Sequence, residues 1–84
     1  MRILICDDEL QYVNNLKENI EDYMRQKSIN CEIDTECNTS NIISGNTVYQ
    51  LVFLDIQMDE FDGISVAKVL KERNNKVVIF FVTS

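Results

Sequence analysis

Hydrophobic and polar positions along the chain predict four strands. Residues 1–6, 50–54 and 77–82 are short, almost continuously apolar runs, typical of strands that are buried on both faces. Residues 31–37 (CEIDTEC) instead alternate between small or apolar residues and acids. This period of two predicts an edge strand with one face in water.

The segments between these strands predict helices. Over residues 13–24 the apolar positions are spaced by 3, 4, 3 and 1 residues, and acids, lysine and asparagines occupy other positions, as in an amphipathic helix. Residues 64–73 repeat the helical spacing, and 38–49 predict a short helix between turns. The predicted order is β-α-β-α-β-α-β, which favours an α/β fold with a parallel sheet and right-handed crossovers.

Length, composition and charge limit the classes of protein. The 84 residues form at most one small domain, and the composition, with 45% hydrophobic and 26% charged residues, is that of a globular protein. A net charge of −6 disfavours binding to nucleic acid or anionic lipid. The apolar runs are shorter than the ~20 residues of a membrane span, and no signal-peptide pattern opens the chain. We therefore expect a cytoplasmic protein.

The cysteines are not arranged as a metal site. There are three of them, histidine is absent, and no C-x-x-C spacing occurs, so a zinc site is improbable. We expect Cys6, Cys31 and Cys37 to be small buried hydrophobic residues.

Polar side chains follow three of the predicted strands. Asp7 and Asp8 come after the first strand, Asp55 after the third and Thr83 after the fourth. The carboxyl ends of parallel strands meet at one edge of a sheet, where ligand sites form. Carboxylates that converge there must protonate, separate or bind a cation. Oxygen ligands select a hard ion, for which Mg²⁺ is the natural choice, and Asp55 would then serve as a carboxylate nucleophile that forms an aspartyl phosphate.

Three motifs together resemble a known family. ILICDDE, LVFLDIQMDEFDG and VVIFFVTS resemble the receiver domain of bacterial two-component response regulators. Their details are most similar to the subfamily with a LytTR DNA-binding output domain. The resemblance spans nearly the whole chain and implies a flavodoxin-like (CheY-like), doubly wound parallel sheet with strand order 2-1-3-4 and helices on both faces.

The resemblance also implies roles for individual residues. Asp55 would be the phosphoacceptor, and Asp7 and Asp8 the acidic pair for Mg²⁺, with Asp7 expected in the pocket but outside the direct metal shell. The remaining implied roles are a backbone-carbonyl metal ligand at Gln57, a switch hydroxyl at Thr83 that contacts the phosphoryl group, and the loop glycine Gly63. A histidine kinase would be the phosphoryl donor, and the domain itself would not be a turnover enzyme.

Two departures from the family pattern qualify these expectations. Asp59 follows Met58 where many receivers have proline. The chain also stops at Ser84, before the fifth strand and its lysine, so residues 1–84 are interpreted as the N-terminal portion of a receiver without an output domain through which it could bind DNA. We expect a fragment, in preference to a chain that completes itself as a homodimer or strand-exchanged oligomer through its fourth strand.

Other functions fit the residues less well. A calcium loop of the EF-hand type would need glycine at position 60, which is Glu60. A haloacid-dehalogenase-type phosphohydrolase would need a second aspartate at position 57, which is Gln57, and a cap domain. The main alternative is a receiver-like module that is not phosphorylated and acts through protein contacts.

Overall fold

The predicted elements are all present and in the predicted order. A computed structural model describes residues 1–57 and 63–82. Its elements are β1 (Arg2–Cys6), α1 (Leu10–Gln26), β2 (Glu32–Glu36), α2 (Thr39–Ser44), β3 (Leu51–Asp55), α3 (Gly63–Arg73) and β4 (Val78–Val82).

The four strands form one parallel sheet in the order β2-β1-β3-β4, which confirms the CheY-like prediction. Strand β1 lies in the interior of the sheet, with Ile5 opposite Thr35 of β2 and Phe53 of β3. Because β1 and β3 are neighbours with parallel direction, their carboxyl ends lie side by side at one edge.

Apolar residues bury the middle of the sheet on both faces. On one face, side chains of β1 and β3 pack with α2 and α3 in a cluster that includes Leu4, Leu54, Val66 and Leu70. The adjacent β1 residues Ile3 and Ile5 point to the other face, and both are 1% exposed or less. Helix α1 contacts β1 and contributes the buried residues Val13 and Met24. Within the described residues, no helix is long and apolar enough to cross a membrane.

Strand β4 departs from the prediction of a strand covered on both faces. It lies at the edge of the sheet, and Val78, Phe80 and Phe81 are 50–54% exposed. The Phe80 ring stacks on Phe53, with the ring centroids 5.5 Å apart. The apolar sequence correctly predicts a strand, but the described residues leave much of its surface uncovered.

The alternating strand β2 is an edge strand, as predicted, but its two faces are not divided as expected. Asp34 on the acidic face is half-buried, where it accepts hydrogen bonds from Arg2 Nε (3.0 Å) and the Tyr49 hydroxyl (2.8 Å). On the other face Thr35 is exposed. A charged partner and a phenol thus cover part of the face that alternation alone predicts to be in water.

The expectation of three buried cysteines is wrong for two of them. Cys6 is buried in the core, Cys31 is half-buried and Cys37 is exposed. Cys31 precedes β2 and Cys37 follows it, so neither gains the cover that the interior strand β1 gives to Cys6.

Side-chain and backbone hydrogen bonds fix the ends of the helices. Asn38 caps α2 by accepting a hydrogen bond from the Ser40 backbone N–H. The Arg73 guanidinium at the end of α3 donates to the carbonyl oxygens of Ile43 and Gly45 at the end of α2, which joins the two helices. Ser28, just after α1, adopts a left-handed conformation with φ 57°.

Candidate functional site: a carboxylate cluster at the strand ends

Three aspartates meet where β1 and β3 end. Asp55 is the last residue of β3, and Asp7 and Asp8 directly follow β1. One carboxylate oxygen from each of Asp7, Asp8 and Asp55 lies within 4.8 Å of the other two. The sequence-based prediction that these three side chains converge is therefore confirmed.

Each of the two buried carboxylates, Asp7 and Asp55, is oriented by the same type of local hydrogen bond. The backbone N–H of Glu9 donates to Asp7 Oδ1 at 2.9 Å, and the backbone N–H of Gln57 donates to Asp55 Oδ1 at 2.9 Å. In each case an aspartate bonds the amide two residues later, which is the Asx-turn that aspartate favours where a strand ends. Each bond holds one oxygen of the carboxylate and restricts the direction of the other.

The site takes two carboxylates out of water, and among the described residues no cationic side chain forms an ion pair with them. Asp7 and Asp55 are 3% and 1% exposed, and Asp8 is exposed. Burial raises the pKa of Asp7, the hydrogen bond from Glu9 opposes that change, and the nearby charge of Asp55 adds to it. Asp7 Oδ2 is buried without a hydrogen-bond partner among the residues that the structure describes. A buried, unpaired acceptor is costly, and it is accounted for if a ligand occupies the site.

The donor atoms select the type of ligand. Carboxylate oxygens are the preferred ligands of hard cations such as Mg²⁺, whereas soft or borderline ions prefer thiolate and imidazole. Cys6 is next to the cluster in sequence, but burial raises the pKa of its thiol to about 12, so it is protonated at neutral pH. The unpartnered Asp7 oxygen and the all-oxygen donor set therefore fit a hard divalent cation.

A depression beside the cluster gives access to Asp7 and Asp8. It measures about 330 Å³ and lies between the start of α1 and the end of β2, where Leu10, Val13 and Cys37 line it. Leu10 is 73% exposed at its rim. The acidic cluster is thus open to solvent from the side of α1.

The other site predictions have different outcomes. Gln57 is exposed directly beyond β3, and Gly63 is the first residue of α3, but no observation tests a metal-binding carbonyl at Gln57 or a loop role for Gly63. Thr83 and most of the loop after Asp55, residues 58–62, lie outside the described residues. Glu9 occupies the N-cap position of α1, but its side chain makes no capping hydrogen bond.

Two features of the site were not anticipated from the sequence. One is the pair of backbone amides, at Glu9 and Gln57, that orient the buried carboxylates. The Asx-turn preference of a strand-end aspartate is a signal that could have indicated them. The other is the burial of Asp7, which is nearly as complete as that of Asp55.

Comparisons with known proteins identify the family of the chain. Residues 3–84 match the family model of the response regulator receiver domain. The chain is 30% identical over 80 residues to the hybrid signal transduction histidine kinase L of Dictyostelium discoideum. It is 27% identical to the transcriptional regulatory protein RprY of Bacteroides fragilis. The alignments cover 89% and 100% of this chain, but only 4% and 34% of these two curated relatives.

Solved structures show the same fold. The response regulator TrrA of Thermotoga maritima, in complex with Mg²⁺ and BeF, superposes with a TM-score of 0.74 at 31% identity, over 98% of this chain and 68% of that one. The non-phosphorylated HemR receiver domain of Leptospira biflexa gives a TM-score of 0.72 at 21% identity, over 98% of this chain and 63% of that one. This chain belongs to the response regulator receiver domain family of two-component signalling proteins.

Proposed function

We propose that the chain accepts a phosphoryl group on Asp55 from a histidine kinase, with Mg²⁺ bound at the aspartate cluster. One observation carries the proposal: carboxylate oxygens of Asp7, Asp8 and Asp55 converge within 4.8 Å, while a buried oxygen of Asp7 has no partner among the described residues. Membership of the receiver family and the Mg²⁺–BeF complex of the similar TrrA structure support it.

The hydrogen bond from Gln57 prepares Asp55 for this reaction. It holds Asp55 Oδ1, and we propose Oδ2 as the nucleophile. A new bond forms between this oxygen and phosphorus, and the bond between phosphorus and the donor's imidazole nitrogen breaks. The electron pair of that bond leaves with the imidazole, which takes up a proton. The product is an acyl phosphate on Asp55.

Asp7 and Asp8 would hold the cation together with Asp55, and the backbone carbonyl of Gln57 is the fourth protein ligand proposed. When bound, Mg²⁺ supplies positive charge to the phosphoryl oxygens. The Glu9 amide keeps Asp7 Oδ1 engaged, so Asp7 can present only its second oxygen towards the cluster. This arrangement allows Asp7 to act within the pocket, either on the metal itself or on water bound to it.

The phosphoryl group would act as a switch. It adds negative charge next to the carboxylates of Asp7 and Asp8, and we propose that Thr83 and Gly63 take part in the resulting change in the neighbouring loop and strand. The domain is not a turnover enzyme in this proposal. In a longer parent protein of the LytTR type, the switch would control an output domain that binds DNA.

Partners and location follow from the same proposal. The donor is a histidine kinase, and both proteins act in the cytoplasm. Association of two copies through the fourth strand, as a homodimer or strand-exchanged oligomer, is also proposed. That the chain is a truncated receiver stays a prediction.

Phosphorylation by a small-molecule donor tests the function without knowledge of the cognate kinase. The chain is incubated with phosphoramidate and Mg²⁺, and its intact mass is measured. We expect one added phosphoryl group, which disappears in Asp55→Asn and when EDTA removes Mg²⁺. Asp22→Asn, which removes an exposed carboxylate of α1, is the control and should be phosphorylated normally. A folded chain that gains no phosphoryl group would favour the module that acts only through protein contacts.

A further inference from the structure

We propose that the depression beside the aspartate cluster receives an arginine side chain of the protein that delivers the phosphoryl group. The inference rests on the proposed phosphoacceptor function and adds to it a contact by which the chain recognises its donor. The α1–β2 depression measures about 330 Å³, and its lining residues are Asp7, Asp8, Leu10, Val13, Thr35, Glu36 and Cys37.

The α1–β2 depression lies beside the carboxylate that would be phosphorylated. Asp8 lines the depression and also belongs to the aspartate cluster, where one of its oxygens lies within 4.8 Å of an oxygen of Asp55. A donor protein that brings its phosphorus atom to Asp55 therefore approaches Asp8 as well. The depression is thus continuous with the surface on which phosphoryl transfer would take place.

The acids of the depression attract a cation. Asp7, Asp8 and Glu36 line it, and no lysine or arginine of the described residues does. The ion pairs of the described residues lie elsewhere, at Arg2 and Arg25. Asp7 is 3% exposed, and its Oδ2 has no hydrogen-bond partner among the same residues. The charge and the unpartnered oxygen both favour a positively charged ligand.

Mg²⁺ alone would leave this surface negative. When ionised, the carboxylates of Asp7, Asp8 and Asp55 carry three negative charges, one more than a divalent cation neutralises. A phosphoryl group brings about −1.5 to −2 more at pH 7. The chain as a whole has a net charge of −6. A cationic side chain on the donor would therefore offset the repulsion as the two proteins approach each other.

The apolar part of the depression favours arginine over a cation without an apolar stem. Leu10, which is 73% exposed, and the buried Val13 lie next to the acids. An arginine stem packs on such residues while its guanidinium stays at the polar rim. The planar guanidinium donates two hydrogen bonds to one carboxylate, and the exposed Asp8 is the acceptor that we assign.

Two synthetic donor peptides that differ in one side chain provide the first test. Both are alanine-rich helices with one phosphohistidine, and one helical turn away they carry either arginine or citrulline, its uncharged analogue of similar shape. Intact-mass measurements follow phosphoryl transfer to the chain in the presence of Mg²⁺. We expect transfer from the arginine peptide to be about 2–5-fold faster, as for an exposed ion pair. This ratio should approach one in 0.5 M NaCl, because salt screens the pair.

Two variants place the same added charge at different points of α1. Leu10→Lys puts an ammonium group at the rim of the depression, and it should lower the arginine-to-citrulline ratio of the transfer rates to one or less. Asn19→Lys adds the same charge at an exposed position further along the helix, and it should preserve the ratio. Because the ratio is measured within each variant, a general change in the reactivity of Asp55 cancels.

Binding of the unphosphorylated peptides provides a readout that does not need phosphoryl transfer. In amide NMR titrations, the arginine peptide should shift the signals of Leu10, Val13 and Cys37, which line the depression. The citrulline peptide should bind about 2–5-fold more weakly, and Leu10→Lys should remove this difference.

These measurements separate the inference from the function on which it rests. If phosphoramidate phosphorylates Asp55 but the two peptides react at equal rates in low salt, the inference fails and the function stands. A ratio that Leu10→Lys and Asn19→Lys lower equally would also overturn the inference, because net charge alone would then explain the preference. If no donor phosphorylates the chain, the NMR titration still decides, since equal binding of the two peptides would contradict an arginine site.

Discussion

Asp7→Asn should stabilise the metal-free protein, although it changes a buried residue of the site. Carboxylate oxygens of Asp7, Asp8 and Asp55 lie within 4.8 Å, where one pair of charges costs about 3.5 kcal/mol at an effective dielectric constant near 20. Asp7 belongs to two of the three pairs. Solvent screens the pair with the exposed Asp8, and only the repulsion between Asp7 and Asp55 is little screened, so we expect a net gain of about 1–2 kcal/mol. Asparagine retains the oxygen that accepts from Glu9.

Thermal unfolding at pH 7 measures this effect. For a domain of this size, 1 kcal/mol shifts Tm by about 4–8 °C, so the metal-free variant should melt roughly 4–16 °C higher than the original chain. Mg²⁺ at ten times its Kd should stabilise the original chain by about 1.4 kcal/mol, and Asp7→Asn should lose most of this increment. Glu18→Gln, an equal change of charge on the exposed face of α1, is the control. A lower Tm for metal-free Asp7→Asn, or an undiminished response to Mg²⁺, would refute the reasoning.

Three further predictions concern the scaffold. Burial raises the pKa of Asp34, but hydrogen bonds from Tyr49 and Arg2 outweigh it and lower the pKa from 3.8. The stability that the Asp34 carboxylate contributes is therefore present above that pH and is lost as the pH falls through the lowered pKa. In urea unfolding, Asp34→Asn should therefore lower the free energy of unfolding at pH 7 but much less near pH 2. An equal loss at the two pH values would contradict this reasoning. Leu70→Ala should lower the free energy of unfolding by about 2–5 kcal/mol in the same assay, because Leu70 is 1% exposed in the apolar cluster between the sheet and helices α2 and α3. A loss below 1 kcal/mol would count against that packing. Ser28→Gly should raise stability by up to about 1 kcal/mol, because glycine tolerates φ 57°, and a loss would show that the Ser28 side chain matters more than the backbone.

Much of the fold could be predicted because local pattern and tertiary environment agree. The continuous run at β1 is buried on both faces, that at β3 is buried on one face and half-buried at Leu51 and Phe53 on the other, and the 3.6-residue period of α1 buries Val13 and Met24. Strand order 2-1-3-4 was not contained in these patterns; it came from the resemblance of three motifs to the receiver family. The alternating segment failed as a guide to burial, since Asp34 gains its cover from Arg2 and Tyr49, which are distant in sequence.

The candidate site was predictable in its residues but not in its electrostatics. The position of Asp7, Asp8 and Asp55 at strand ends follows from parallel topology. The residue types alone do not show which carboxylate is buried without a hydrogen-bond partner. That outcome depends on the packing of α1 and on the backbone amide of Glu9. The exposed surface of β4 could not be derived from its apolar sequence, which is the same for a covered central strand and for an uncovered edge.

Binding of beryllofluoride, a phosphoryl mimic, tests the central claim most directly. The chain and Asp55→Asn are compared by amide NMR and ¹⁹F NMR, with and without Mg²⁺, and Asp22→Asn is the control. The account predicts a bound fluoride signal and shifted amides at Glu9 and Gln57 only when Mg²⁺ and Asp55 are both present. A folded chain that shows no bound signal with Mg²⁺, or binding that persists in Asp55→Asn, would contradict the assignment of Asp55 as phosphoacceptor.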